Sequence, residues 1–316
     1  MLKTLKLCAA VAAAALVTAP VFGADFPSKP LKLIVTSPAG GGEDTEARAI
    51  APFVEKLLGQ QVIIENQGGA GGKIAFEKFQ NVTPDGYTLI TYTFPKSVIM
   101  EYQGKTGFKT RDFTPIFAWS RSSQLLVVNA ESWKTFPEFL KAAKEKPLSG
   151  GLSGRGSTTH LMGLIGFGDL GIDKVNWVPY QGGAGSVAAL AGKHLEFTLT
   201  LAGTAVPLIQ AGKLRPLLLF SDKRDPYLPD VPIPKEFGYD MNFLPTLRGV
   251  EAPPNTPTEI AKILEDAFSK AAQDKDFIDI ATKRKVVLVP LGSKEFAKAV
   301  ADAYVHIAKY QSLLKR

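Results

Sequence analysis

Cysteine is almost missing from this 316-residue chain: its single example, Cys8, lies in an apolar stretch near the N-terminus. A chain without that segment has no disulfide, no thiolate nucleophile and no Cys-ligated metal. Histidine is scarce too. His160, His194 and His306 show no H-x-x-x-H or H-E-x-x-H spacing, so neither a metal site nor any other cofactor is expected. No Lys/Arg run is interleaved with aromatic residues, which argues against nucleic acid as a partner. No apolar run reaches the roughly 20 residues that a membrane-spanning helix needs. The run at 7–17 falls short of that length, follows Lys3 and Lys6, and is followed by small residues, with Val21 and Gly23 placed for cleavage. These are the parts of an export signal over 1–24, cut near Gly23 or Ala24. Cys8 begins the run instead of following it, so a lipid anchor is not expected.

What remains is about 290 residues, beyond the size at which single cores stop growing, so two domains are expected. Loss of Lys3 and Lys6 leaves 35 basic against 30 acidic residues, a net +5. Such a field suits the attraction of small anions.

Strand, Gly-rich turn and helix alternate along the chain. Residues 31–36 (LKLIVT) read as a buried strand that runs into Ser37-Pro38-Ala39-Gly40-Gly41-Gly42. A helix over 43–58 follows, with Ala47, Ile50, Ala51, Val54 and Leu57 on one face and Glu43, Asp44 and Glu46 near its start. Strands at 62–64 and 88–92 flank a second Gly-rich turn, Gly68 to Gly72. This βαβαβ opening implies a parallel sheet covered on both faces. The pattern restarts at 125–129, with helices at 136–144, 158–170 and from 183, strands at 175–178, 195–201 and 214–220, and a helical tail from 257. No fixed-period repeat and no low-complexity linker appear, so two α/β lobes joined by strand-like crossings are expected.

Each Gly-rich turn stands where a strand's carboxyl end meets a helix N-terminus, a place that favours anions. Tight turning alone also accounts for the glycines. Nucleotide motifs fail on spacing. Gln67 to Ile74 puts Gln67 at a P-loop's first glycine and Ile74 at its magnesium-binding hydroxyl, and Gly183-x-Gly185-x-x-Ala188 lacks the later acidic residue. No G-x-S-x-G is present. Ser157 and His160 lie one turn apart; they form either a dyad or, more simply, a helix cap beside a hydrogen-bonded interior histidine.

Several elements together resemble the Bug, or TctC-like, family of periplasmic solute receptors. They are Phe26-Pro27-Ser28-Lys29-Pro30; Pro38-Ala39-Gly40-Gly41-Gly42-Glu43-Asp44; Pro84-Asp85-Gly86-Tyr87-Thr88-Leu89; Gly154 to Leu161; Val178-Pro179-Tyr180-Gln181-Gly182-Gly183-Ala184; and Ala252-Pro253-Pro254-Asn255-Thr256-Pro257. The resemblance implies an α/β, two-lobed type II periplasmic-binding-protein (Venus-flytrap) fold, with lobe one at 25–124 and 243–316 and lobe two at 125–242. It implies a periplasmic receptor that binds a small carboxylate, a dicarboxylate or an aromatic carboxylate, and delivers it to the membrane permease subunits of a tripartite tricarboxylate transporter. A sensor feeding a two-component system is the alternative, and a periplasmic enzyme using the same cleft a more distant one. No catalysis is expected, and we expect a monomer. Carried over by position, Ser37, Pro38, Ala39 and Gly40 would grip from lobe one, and Gly156, Ser157, Thr158 and Thr159 from lobe two. Thr200 stands where the family often has Asp or Asn. Arg155 and Arg248 are either partners of a second carboxylate or solvated or interlobe cations. Phe94 and Tyr92 either line an apolar ligand or belong to the core.

Overall fold

The computed structural model describes residues 26–241 and 243–314; the expected export signal lies outside them. In chain order the elements are β1 (Leu31–Val35), α1 (Gly42–Leu58), β2 (Val62–Asn66), α2 (Lys73–Phe79), β3 (Thr88–Phe94), α3 (Lys96–Gln103), β4 (Thr114–Ser122), β5 (Gln124–Asn129), α4 (Phe136–Glu145), β6 (Leu148–Leu152) and α5 (Thr158–Asp169). They continue with β7 (Val175–Pro179), α6 (Gly183–Ala191), β8 (Phe197–Leu201), α7 (Ala202–Gln210), β9 (Leu214–Phe220), β10 (Thr246–Ala252), α8 (Thr258–Ala272), α9 (Lys275–Lys283), β11 (Val287–Leu291), α10 (Ser293–Ala308) and α11 (Gln311–Leu314).

The strands form two sheets. One is ordered β11-β4-β10-β3-β1-β2 and the other β7-β6-β8-β5-β9. Both contain the same arrangement: the first strand parallel to its two neighbours, and an antiparallel strand inserted next to the third. In each case the inserted strand arrives from the other lobe. β5 continues from β4 through Ser123 alone, and β10 carries the chain back to the first sheet. A crossing of one residue leaves little slack, so movement between lobes must be a bend at these strands.

The central strands are apolar on both sides because helices cover both faces. In β1 every residue except Lys32 is buried. α1 lays Ala47, Ile50, Ala51 and Val54 against β1, α8 and α9. It stops at Gly59, whose left-handed backbone (φ 69°) lets its N–H reach the Glu55 carbonyl. The opposite face of the six-stranded sheet carries α2, α3 and α10 over Phe76, Tyr92 and Phe94. That cluster also takes in Leu161, Met162 and Ile165 of α5, so one helix of lobe two is packed against lobe one beside Val98 and Ile99. The lobes therefore share apolar burial as well as two crossings.

Candidate functional site

The lobe-one loop, Ser37 to Gly41, is tied down from within. α1 starts on Gly42 with Glu43 and Asp44 in its first turn, where the helix dipole favours negative charge. The Asp44 carboxylate accepts from the Gly40 N–H (2.8 Å), Arg48 Nε (2.9 Å) and Asn66 Nδ2 (2.9 Å). Burial pushes its carboxyl up, but these hydrogen bonds outweigh burial and hold it below the usual value. Glu43 is buried and accepts from the Thr36 N–H (3.2 Å), the Thr36 hydroxyl (2.8 Å) and the Thr91 hydroxyl, with Lys96 Nζ 3.9 Å away. Burial pulls the Lys96 ammonium down, with Glu43 opposing. Glu46 accepts from Trp119 Nε1 (3.1 Å), the Ser120 hydroxyl (2.6 Å) and the Arg248 guanidinium. Three carboxylates thus stand at the top of this lobe, while the Gly42, Glu43 and Asp44 N–H groups of α1 have no hydrogen-bond partner among the described residues.

The lobe-two loop is arranged differently. Ser157 is the N-cap of α5, its hydroxyl accepting from the His160 N–H (3.2 Å) and donating to the Gly154 carbonyl (2.7 Å). Thr159 Oγ1 lies 2.7 Å from the Ser153 hydroxyl and 2.8 Å from that of Ser157. Gly156 needs a left-handed backbone (φ 70°), and a Cβ there would lie 2.1 Å from Nε2 of Gln103, reaching over from α3. Its N–H donates to His160 Nδ1 (3.0 Å). Burial, helped by the Arg155 charge, lowers the His160 pKa and keeps the ring neutral, as that hydrogen bond requires. No acidic residue stands in the first turn of α5. The Thr158 and Thr159 N–H groups have no hydrogen-bond partner among the described residues. α6 and α7 also begin without an acidic residue, and α6's N-cap Gly182 donates its N–H to the Ser153 carbonyl, joining the two turns.

The expected site residues divide accordingly. Pro38, Ala39 and Gly40 are exposed, but the Gly40 N–H is already used by Asp44. Ser37 is half-buried and its hydroxyl has no partner among the described residues. Gly156 and Ser157 are half-buried, Thr158 and Thr159 buried, and Arg155 exposed. Thr200 is fully buried beneath Gly183, where an added Cβ would meet its hydroxyl at 2.8 Å. Two readings are corrected and one left open is decided. Phe94 is 1% exposed and Tyr92 0%: both pack in the core under α3, not on the cleft wall. His160 is half-buried and shapes the Gly156 turn instead of sitting in the interior. Arg248, whose reading was open, is paired with Glu46 within lobe one and lines the interlobe cavity. Sequence reasoning missed Lys96 and Gln103, at the two ends of α3. Their signal was position: Lys96 opens a helix just past the carboxyl end of β3, where ligand groups collect in such sheets.

A cavity of about 550 Å³ opens between the lobes on the face that carries α1, walled by α1, the 283–287 turn and α7. Arg248 and Glu46 lie on its wall. Among the described residues no group of three or more His, Cys, Asp or Glu is placed to hold a metal.

Two sheets of matching order that exchange strands, with a cavity between the lobes that carry them, define the two-lobed type II periplasmic-binding-protein fold. A profile of the tripartite tricarboxylate transporter family receptor, TctC, matches residues 46–315. The chain belongs to this family of solute-binding receptors. A Cupriavidus necator protein named for the gbd 5′ region is 33% identical over 283 residues, spanning 88% of this chain and 85% of that one. Two Rhodopseudomonas palustris structures are each 26% identical. MatC with bound malate has a TM-score of 0.77 and covers 92% of this chain and 100% of its own. A protein solved with adipate has a TM-score of 0.80, with 92% and 98% covered.

Proposed function

We propose that this chain is an exported periplasmic receptor that captures a small carboxylate, a dicarboxylate or an aromatic one, and hands it unchanged to a tripartite tricarboxylate transporter permease. One observation carries the reading. α5 opens on two unpartnered amides, Thr158 and Thr159, with no acidic residue in its first turn, beside the seam where Gln103 of lobe one meets Gly156. A helix N-terminus in that state favours an anion that other parts of the site enclose. The malate and adipate of the two related structures are both dicarboxylates, which agrees with this chemistry. The N-terminal signal read from the sequence accounts for export.

Purified protein freed of endogenous ligand, scanned against a carboxylate panel, tests the reading. A ligand at about a thousand times its Kd stabilises the folded state by roughly 4 kcal/mol, enough to raise Tm by several degrees in a chain of this size. The ligand should be recovered chemically intact after long incubation. A panel that leaves Tm within a degree, or a ligand that is consumed, overturns the proposal.

A further inference from the structure

The six-stranded sheet buries a set of polar groups on the face that carries α3 and α10, away from both Gly-rich turns. Glu251 of β10 is 0% exposed, and neither of its carboxyl oxygens has a hydrogen-bond partner among the described residues. Tyr92 Oη on β3 and Ser97 Oγ on α3 are in the same condition, fully buried and unpartnered.

The fold brings these three residues together. β10 and β3 run antiparallel, with Glu251 opposite Ile90 and Gly249 opposite Tyr92. Glu251 and Tyr92 are therefore diagonal neighbours on one face of the sheet. Val250 and Ala252 point to the other face, into the cluster under α1 and α8, whereas Ile90 and Tyr92 belong to the cluster under α3 and α10. Ser97 sits in the first turn of α3, over that second cluster. Burial pushes the Tyr92 phenol well up; the Glu251 charge adds to this and the nearby Ser97 hydroxyl works against it. The three groups thus sense one another, yet none closes a direct hydrogen bond to another.

Buried polar groups without a partner are rare, because each has given up its hydrogen bonds to solvent. Polar groups that lie close without bonding are joined in folded proteins by a bridging water. A metal ion is the wrong occupant here: Glu251 is a single carboxyl, and burial keeps it neutral. The bridging group must accept from one of these groups and donate to another, and water does both.

We propose that lobe one holds at least one structural water between Glu251, Tyr92 and Ser97. The water accepts a hydrogen bond from the Glu251 carboxyl and donates to the hydroxyl oxygens. It thereby ties β10, which carries the chain back from lobe two, to α3, the helix with Lys96 and Gln103 at its ends. The site is independent of which solute the protein takes.

Water-deuteron relaxation dispersion counts the waters that a protein holds far longer than its surface does. Wild type is compared with Glu251→Gln, which keeps two polar atoms, and with Glu251→Met, which removes both. A double variant, Tyr92→Phe/Ser97→Ala, removes the two hydroxyls with little change in volume. Wild type and Glu251→Gln should hold equal numbers of long-lived waters, and the other two variants at least one fewer. Should Glu251→Met not fold, the double variant carries the result. An undiminished number in the variants that fold overturns the proposal, as does a loss in Glu251→Gln equal to that in Glu251→Met. So does a crystal structure in which the Glu251 carboxyl bonds directly to Tyr92 or Ser97 with nothing between them.

Discussion

In lobe one the helix after the first strand, α1, begins with Glu43 and Asp44; its counterpart in lobe two, α5, begins with Thr158 and Thr159. The two helices occupy equivalent places in sheets of matching order. Each has a positive helix end worth about half a charge to satisfy. Lobe one sets two carboxylates in its first turn, Asp44 accepting from the Gly40 N–H and Glu43 from Thr36, while the Gly42, Glu43 and Asp44 N–H groups have no hydrogen-bond partner among the described residues. Lobe two caps with a neutral hydroxyl and brings no acid to its two open amides. On the function proposed above the two turns do different work: α1's is set before any solute arrives, whereas α5's is completed by one.

The largest expected effect tests the half that carries acids. Glu46 and Arg248 are 9% and 14% exposed as side chains, and Glu46 has no other cationic partner among the described residues. Arg248→Ala strands a buried carboxylate, a change that costs about 3–5 kcal/mol. Urea unfolding measures it. A loss below about 1 kcal/mol would mean that Trp119 and Ser120 suffice for Glu46, and that lobe one's ion pair adds little.

The next effect tests the half without acids. Thr158→Asp gives α5 the acid that α1 already has. A carboxylate at that place suits the helix dipole, so the ligand-free protein should unfold at an unchanged or slightly higher temperature. It also occupies the amides and repels the solute, so carboxylate affinity should fall at least a hundredfold, or about 2.7 kcal/mol. Calorimetry with a carboxylate found in the panel decides it. Full affinity in this variant would show that the two turns are not opposites at all.

Much of this architecture could be read along the chain, because apolar runs flanked by Gly-rich turns repeat the same unit. β9 and α6 lie where their patterns put them, and α1 begins one residue earlier. β6 was missed because LSGGL offers two glycines and little apolar length. The structure gives the reason for those glycines: a Cβ on Gly150 would strike the Phe197 ring at 2.3 Å, and one on Gly151 the Leu195 side chain at 2.5 Å. β10 was read only as a crossing, since Arg248 and Glu251 interrupt its apolar pattern. Glu251 is nevertheless fully buried, and burial pushes its carboxyl well above the usual range, so it is carried neutral. At the site, the presence of acids in α1 was visible, but where they bond was not. Whether a first-turn carboxylate faces solvent or folds onto a backbone N–H depends on Asn66 and Arg48, which only tertiary structure brings together. The matching order of the two sheets was hidden for a similar reason: it is a repeat of connections, not of residues.

The smallest expected effect separates the two turns by pH. In lobe two the Gly156 N–H donates to His160 Nδ1, so that nitrogen must be unprotonated. Burial and the Arg155 charge place the folded His160 pKa below that of the unfolded chain, about 6.5. The folded state therefore binds fewer protons here than the unfolded one. The contribution is fully present above pH 6.5 and is lost as pH falls through the window below it, by at most about 1.4 kcal/mol per unit. In lobe one the Asp44 carboxyl is also lowered, but from an unfolded value near 3.9, so its contribution is lost only at far lower pH. Between pH 6.5 and 5 the α5 turn should thus weaken while the α1 turn holds. His306 is lowered as well, by burial and Lys309, and titrates in the same range, so the measurement is made in a His306→Gln background. In that background, unfolding free energy should decline over this window, and a further His160→Gln should flatten the decline. Equal slopes with and without His160 would remove the histidine from the account of the turn and leave the Ser157 cap as its main support.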